Sequence, residues 1–176
     1  VNDEIVHGIP SKNRVLNEGD IVSVDTGATY RGYASDAART YPVGEITADA
    51  QKLIDVTKES FFQGVKYAME GFRLHDIGHA IQEYSERNGM AVIREYLGHG
   101  RDLHEDPQVP NYGKPHTGPH LKEGMVLAIE PMLAQGTYDT KVLSNEWTVV
   151  TADGKLSAHY ENTVVITDGE PELLTL

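Results

Sequence analysis

The chain has no cysteine, which excludes disulfide bonds, thiolate metal sites and cysteine nucleophiles. No apolar run approaches the roughly 20 residues that span a bilayer, and no charged segment followed by an apolar one opens the chain. Basic residues are scarce, because 15 Lys and Arg stand against 27 Asp and Glu, a formal charge of 15 − 27 = −12. Such a surplus repels phosphate backbones and anionic lipid. These absences predict a cytoplasmic protein that binds neither nucleic acid nor membranes.

The hydrophobic pattern predicts helices and strands mixed along the chain. Thr47 is a candidate N-cap for a helix that ends at Gly71, and a second amphipathic helix is predicted over residues 74–87. Alternating apolar residues predict strands at 21–25, 33–41, 126–129, 147–151 and 160–166. Between 98 and 119 the sequence is rich in Gly, Pro and His without a period, which is typical of a functional loop. We therefore expect one α+β domain over residues 1–176.

Four acidic residues stand at strand positions where burial is expected. Asp25 ends the run Ile-Val-Ser-Val, Asp36 lies among alanines, Glu130 follows Val-Leu-Ala-Ile, and Glu161 opens a β-branched run. Each residue alone is explained as a satisfied strand-end carboxylate. Together they are unfavourable, since two like charges about 4 Å apart repel by roughly 4 kcal/mol at an effective dielectric of about 20. Gathered in one pocket, they would need protons, basic partners or a bound cation.

A histidine set between glycines, His99 in Gly-His-Gly, adds a nitrogen ligand to this set of acids. Oxygen-rich ligation with one imidazole suits divalent ions such as Mn, Fe or Co. Four carboxylates balance two such ions better than one, and two metals about 3.5–4 Å apart form the clamp used in many hydrolases. The pattern therefore predicts a site for two divalent cations.

Several motifs, in this order along the chain, resemble those of type I methionine aminopeptidases. The resemblance rests on ordered segments that run over the whole length, and on the eleven-residue step from Asp25 to Asp36. The segments are Val-Asn-Asp-Glu-Ile-Val-His-Gly-Ile-Pro at the start, Asp-Thr-Gly-Ala, Tyr-Ala-Ser-Asp-Ala-Ala-Arg-Thr, Gly-His-Gly, His-Glu-Asp-Pro, Ile-Glu-Pro and Tyr-Glu-Asn-Thr.

The resemblance implies the α+β "pita-bread" fold, a curved antiparallel sheet flanked by helices, with a dinuclear metal centre. Carried over by position, Asp25 would hold one metal, and His99 and Glu130 the other. Asp36 and Glu161 would bridge both metals. The implied activity is hydrolytic removal of N-terminal methionine from nascent polypeptides, with transient ribosome contact and a monomeric enzyme.

The resemblance also assigns catalytic and substrate-binding roles. Glu130 would be the general base toward the metal-activated water. His104 would hydrogen-bond the scissile carbonyl and stabilise the oxyanion, and His7 would contact the substrate near the scissile amide. Trp147 would line the methionine pocket, with Leu103 beside it.

Three features depart from the family pattern. The family carries further sequence before Val1, so we expect this chain to lack the N-terminal segment of the fold. Two residues are missing from the usual step between His99 and His104, which would displace His104 and affect the oxyanion more than the metals. Asn162 replaces a histidine common in relatives, and strand alternation points it away from Glu161.

Two alternative functions remain open on this sequence. A prolidase or aminopeptidase P-like peptidase would share the fold but would usually carry an extra domain and further loop histidines. A pita-bread binding module would have lost its catalytic function. The five remaining histidines are expected to be surface or packing residues: His75, His79, His116, His120 and His159.

Overall fold

The computed structural model describes residues 1–103 and 105–176. Two helices and eleven strands are found in this described part. They are β1 (Glu4–Val6), β2 (Ile21–Tyr30), β3 (Tyr33–Pro42), α1 (Ala48–Val65), α2 (Leu74–Arg87), β4 (Ala91–Val92), β5 (Val126–Ile129), β6 (Met132–Ala134), β7 (Thr140–Val142), β8 (Val149–Thr151), β9 (Ser157–His159), β10 (Asn162–Val165) and β11 (Glu172–Leu173).

The strands pair antiparallel in four small groups, and the helices pack against them. β2 pairs with β3, and three-stranded groups have the orders β11-β10-β5, β4-β6-β9 and β1-β8-β7. Phe61 of α1 and Ile77 and Ile81 of α2 are fully buried against Leu127 of β5 and Val164 of β10. The predicted α+β class, with antiparallel strands flanked by helices, is confirmed.

Helix α1 begins as predicted and ends earlier. The Thr47 side chain accepts a hydrogen bond from the Ala50 amide at 3.2 Å, which caps the helix. The predicted end at Gly71 is wrong, since α1 ends at Val65. Beyond it the chain pairs with another segment, because the Glu70 amide donates to the Thr167 carbonyl at 2.9 Å. The residues before Gly71 are therefore paired with a distant segment and do not continue the helix.

Helix α2 matches its predicted limits, and its first turn is tied down by a buried acid. The Asp76 carboxylate accepts from the Arg73 amide at 2.8 Å and from the His116 amide at 2.6 Å. The helix ends at Arg87 with Asn88 as its C-cap, and Gly89 follows with φ of 80°. The carboxylate therefore joins the start of α2 to the loop that precedes β5.

Two strand pairs are interrupted at the same level. β6 pairs with β9 and β5 pairs with β10, which leaves Glu130-Pro131 opposite Tyr160-Glu161. Pro131 has no amide to donate to a ladder, and the Glu161 amide donates instead to the Ala38 carbonyl at 3.0 Å. The predicted strand over 160–166 is therefore shortened to β10, and the predicted strand over 147–151 is shortened to β8.

Candidate metal centre

The β2–β3 hairpin places two of the predicted ligands on one face. Asp25 pairs with Ala38 and Gly27 pairs with Asp36. Asp25 and Asp36 are thus diagonal neighbours on the same side of the hairpin, a spacing of about 7–8 Å that long or polar side chains can bridge. The eleven-residue step in the sequence is a consequence of this register.

Strand β10 brings Glu161 beside Asp36. Thr163 makes two hydrogen bonds with the Asp36 backbone, because its hydroxyl accepts from the amide at 2.8 Å and donates to the carbonyl at 3.1 Å. Arg39 holds the backbone of β3 and that of Glu161 together, since its guanidinium donates to the carbonyls of Ala38 and Glu161. These contacts hold two acids from distant segments at one place.

The glycines around His99 allow its loop to lie against β5. A Cβ on Gly98 would lie 2.1 Å from the Ala128 carbonyl oxygen, a distance that no side chain tolerates. The Ala128 amide donates to the His99 carbonyl at 2.8 Å. This close packing sets His99 Nε2 3.6 Å from Asp36 Oδ2 and 3.8 Å from Glu130 Oε1.

The second ring nitrogen of His99 is engaged by its neighbour. Nδ1 lies 2.9 Å from the Gly100 carbonyl oxygen, and because a carbonyl only accepts, Nδ1 carries the proton. Nε2 faces the acids, and a metal ion can take the place of its proton there, the arrangement usual for a metal-binding histidine.

All five predicted ligands line one open cleft of about 330 Å³, together with His7. The structure therefore brings together the acids and the histidine that the sequence singled out. Those ligands are Asp25, Asp36, His99, Glu130 and Glu161.

The electrostatics of the cleft show an excess of negative charge. Burial raises the pKa of Glu161 well above its usual range, and the charges of Glu130, Asp36 and Asp25 raise it further. Burial likewise raises the pKa of the Asp25 carboxyl, which is enclosed although the residue as a whole is exposed. The Asp36 carboxylate, in ion-pair contact at 3.6 Å, raises the pKa of His99 to about 8.

These groups fit divalent metal ions. Within the described residues, two sets of ligand atoms lie within 4.8 Å of one another, Asp36–His99–Glu161 and Glu130–His159–Glu161. The two sets share Glu161, which matches the bridging position that the resemblance implies for it. A cation in either set would replace the protons that the crowded carboxyls otherwise retain.

His7 lies at the rim of the cleft, among aromatic side chains. Its ring centroid is 5.4 Å from that of Trp147 and 5.7 Å from that of Tyr96, which it meets edge to face. Its backbone has φ of 59°, a conformation unfavourable for a residue with a Cβ. Its carbonyl accepts from the Thr148 hydroxyl at 3.3 Å, and these contacts together hold the ring beside the acids.

The remaining predicted residues are placed less tightly. Trp147 is 59 % exposed and contacts His7, but it does not line the acid cleft. Leu103 is 48 % exposed, and its Cδ2 lies 3.5 Å from where a Cβ on Gly27 would be, beside the Asp36 carboxylate. His104 lies outside the described residues, so its role stays a prediction.

His159 was expected to be a surface or packing residue, and the structure excludes the surface position. It is 2 % exposed, and its Nε2 lies 3.6 Å from Glu130 Oε2. Its proximity to the acids arises from the pairing of β9 with β6 and of β10 with β5, which brings residues 159–161 opposite Glu130. Other histidines lie elsewhere, as His75 Nδ1 is 2.9 Å from the Thr117 hydroxyl and His116 contacts Asp76.

Arg39 and Asn162 were also undervalued by sequence reasoning. The Arg39 guanidinium lies 4.2 Å from the centroid of the Tyr160 ring and donates to Asn162 Oδ1 at 2.6 Å and to the Thr175 carbonyl at 3.1 Å. Asn162 is fully buried, so it acts in anchoring this arginine. Asn111 similarly donates to the Glu130 carbonyl at 3.0 Å.

Comparison with known proteins gives one consistent result. Residues 1–168 match the model of metallopeptidase family M24. The chain is 63% identical to a methionine aminopeptidase from Clostridium acetobutylicum over 178 aligned positions, covering 100% of this chain and 71% of that protein. The alignment has two more positions than the chain has residues, 178 against 176, so at least two aligned residues of that protein have no counterpart in this chain.

Solved structures agree with the sequence comparison. A methionine aminopeptidase from Thermotoga maritima superimposes with a TM-score of 0.97 at 50% identity, covering 99% of this chain and 71% of that one. A recombinant prolidase from Thermococcus sibiricus is more distant, with a TM-score of 0.72 and 28% identity over 97% of this chain and 41% of that one. The pita-bread fold is thereby confirmed, and the chain belongs to metallopeptidase family M24, among its methionine aminopeptidases.

Proposed function

We propose that this chain removes N-terminal methionine from polypeptides by metal-dependent hydrolysis, with a preference for small second residues. The observation that carries the proposal is the convergence of five oxygen and nitrogen ligands on one cleft. The high identity to a methionine aminopeptidase supports the choice of substrate. We treat residues 1–176 as one catalytic domain.

Two divalent cations, Mn, Fe or Co, are proposed to occupy the cleft. Asp25 would hold one, His99 and Glu130 the other, with Asp36 and Glu161 shared between them. The overlap of the two ligand sets at Glu161 supports this assignment. When bound, such cations supply Lewis acidity and lower the pKa of water from 15.7 toward about 7.

Glu130 is the proposed general base. Its carboxylate is 12% exposed, so it can reach a substrate water while remaining oriented by contacts on both oxygens. Its backbone is held by the Asn111 amide, which donates to the Glu130 carbonyl at 3.0 Å. Taking a proton from water there and returning it to the leaving nitrogen would complete hydrolysis.

His7 and His104 are proposed to act on the scissile amide. The His7 ring is held at the rim of the cleft by Tyr96 and Trp147, where it would help the leaving nitrogen depart. His104 would donate to the carbonyl oxygen as negative charge develops on it.

The methionine side chain is proposed to lie near the same rim. Trp147 offers an exposed aromatic face next to His7, and thioether sulfur contacts aromatic rings favourably. Leu103, beside Gly27 and Asp36, would supply a further apolar contact.

The cellular setting is proposed from the same family. Nascent chains are the substrate, and the enzyme would act as a cytoplasmic monomer in transient contact with the ribosome. No helix in residues 1–103 and 105–176 is long and apolar enough to cross a membrane. Direct nucleic-acid binding is not expected at a formal charge of −12.

The alternative substrate class is the X-Pro peptide, because the fold also superimposes on a prolidase. The lower identity to that protein, 28% against 63%, favours methionine peptides. A binding module without activity is the remaining alternative.

Peptide hydrolysis by metal-loaded protein tests the proposal. Met-Ala peptides should release free methionine with added Mn or Co, and Glu130→Gln should lower kcat at least about 10²-fold because it removes the base. Glu123→Gln, an exposed acid before β5, is the matched control and should leave kcat unchanged. Cleavage of X-Pro peptides alone would reassign the substrate, and no turnover at full metal loading would overturn the proposal.

A further inference from the structure

His159 has a buried ring nitrogen that no described residue satisfies. Its Nε2 is inaccessible to solvent and has no hydrogen-bond partner within residues 1–103 and 105–176. The nearest acid oxygen, Glu130 Oε2, is 3.6 Å away, which is too long for a hydrogen bond. Buried polar atoms are rarely left unpaired, and each exception calls for an unseen partner such as an ion or a water.

The surroundings of His159 Nε2 are those of a cation site. Its ligand atom lies within 4.8 Å of those of Glu130 and Glu161, which line the acid cleft. Two ligand atoms bound to one cation at about 2.0–2.2 Å lie about 3.0–3.4 Å apart. The separation from Glu130 Oε2 exceeds this by only a few tenths of an ångström, so a shared cation would need little movement of either side chain.

The backbone holds His159 firmly in this position. The Thr40 hydroxyl bridges its amide and carbonyl, accepting from the first at 2.8 Å and donating to the second at 2.9 Å. Met132 pairs with it across β6 and β9. The ring is therefore preorganised beside the acids, as a ligand should be.

We propose that His159 is an additional metal ligand, which binds through Nε2 the cation held by Glu130 and Glu161. The inference rests on the proposed metal-dependent function and extends its set of five ligands. Both imidazoles, His99 and His159, then face Glu130, so the cation that Glu130 holds would have two nitrogen ligands. The added nitrogen shifts the preference of this centre toward ions that favour imidazole, such as Fe, Co, Ni and Zn, over Mn.

Proton NMR of the Co(II)-loaded protein tests the proposal without a turnover assay. A histidine bound through Nε2 keeps an exchangeable Nδ1 proton, whose resonance is strongly shifted by the paramagnetic ion. The wild type should show two such resonances, and His159→Gln should show one, with unchanged circular dichroism. His120→Gln, an exposed histidine, should retain both. Two resonances in His159→Gln would overturn the proposal.

Calorimetric titration provides the second readout. His159→Gln and, if it folds, His159→Ala should weaken one cation site at least about 10- to 100-fold, as loss of groups around metals typically does, and Co should suffer more than Mn. Equal Co affinity in wild type and His159→Gln would contradict a ligand role. Because neither measurement depends on peptide cleavage, absence of methionine release would count against the proposed function alone.

Discussion

At the scale of single residues, the site depends on side chains that touch no substrate. Arg39 is the main one, because it donates to three carbonyls and one amide oxygen around Glu161 and also covers the Tyr160 ring. Lysine cannot reproduce this planar fork of donors. The placement of Glu161 therefore depends on the Arg39 guanidinium, which does not itself line the cleft.

Arg39→Lys should lower the free energy of unfolding by about 2 kcal/mol, since bonds from a charged donor each contribute about 1.5–3 kcal/mol and only some are lost. Urea unfolding of the metal-free protein measures this. Arg87→Lys is the matched control, because Arg87 is 73% exposed and pairs with Glu83 on the surface of α2; exposed pairs contribute about 0–1 kcal/mol. Equal losses in the two variants would contradict the positioning role of Arg39.

At the scale of secondary structure, Asp76 links helix α2 to the long loop before β5. Burial opposes its charge, but the amides of His116 and Arg73 outweigh burial and lower its pKa below the usual 3.8. Each carboxylate oxygen accepts one of these amides. An asparagine has only one acceptor oxygen, so it would leave one buried amide unpaired.

Asp76→Asn should therefore destabilise the protein by about 1–3 kcal/mol at neutral pH. A carboxyl with a lowered folded-state pKa stabilises above its unfolded value, and this contribution disappears as pH falls through the folded value. The difference between variant and wild type should thus shrink below pH 3.8. Thermal unfolding of the variant and the wild type from about pH 2 to about pH 7 measures this difference.

Asp49→Asn supplies the control, because Asp49 lies in the first turn of α1 but is exposed. It should change stability by only a few tenths of a kcal/mol. A penalty for Asp76→Asn that stays constant with pH would show that the loss of shape, not of charge, is responsible.

At the scale of the whole molecule, cations should couple metal binding to stability. The ligands are gathered only in the folded protein, so cation binding favours the folded state. The crowded acids release their protons when the cation binds, which makes the affinity depend on pH. At a metal concentration of 100 times Kd the stabilisation should be about 2.7 kcal/mol.

Chelator treatment should therefore lower Tm, and added Mn or Co should restore it. Calorimetric scans of the wild type and of Glu161→Gln measure the effect. The variant should respond much less to metal, because it removes the acid common to both ligand sets. A wild-type Tm that is indifferent to chelator would exclude a resident metal.

Most of the site could be predicted from local sequence, and most of the fold's errors arose where distant segments meet. The acids were found because carboxylates at buried strand positions are unfavourable, and α2 was found because its amphipathic periodicity is a local property. The end of α1 was missed, since pairing of Glu70 with Thr167 is not visible locally. The later start of β10, at Asn162, was missed for the same reason, because the Glu161 amide donates to the Ala38 carbonyl.

By itself, the sequence singled out the acids and the histidine that line the cleft, because side-chain charge, glycine positions and strand alternation are local properties. Only the tertiary structure decided how these residues combine. Packing across several strands buries His159 beside Glu130. It also brings the Arg39 guanidinium into hydrogen-bond contact with the Glu161 carbonyl. Burial and distance depend on segments far apart in the chain, so no local pattern can specify them.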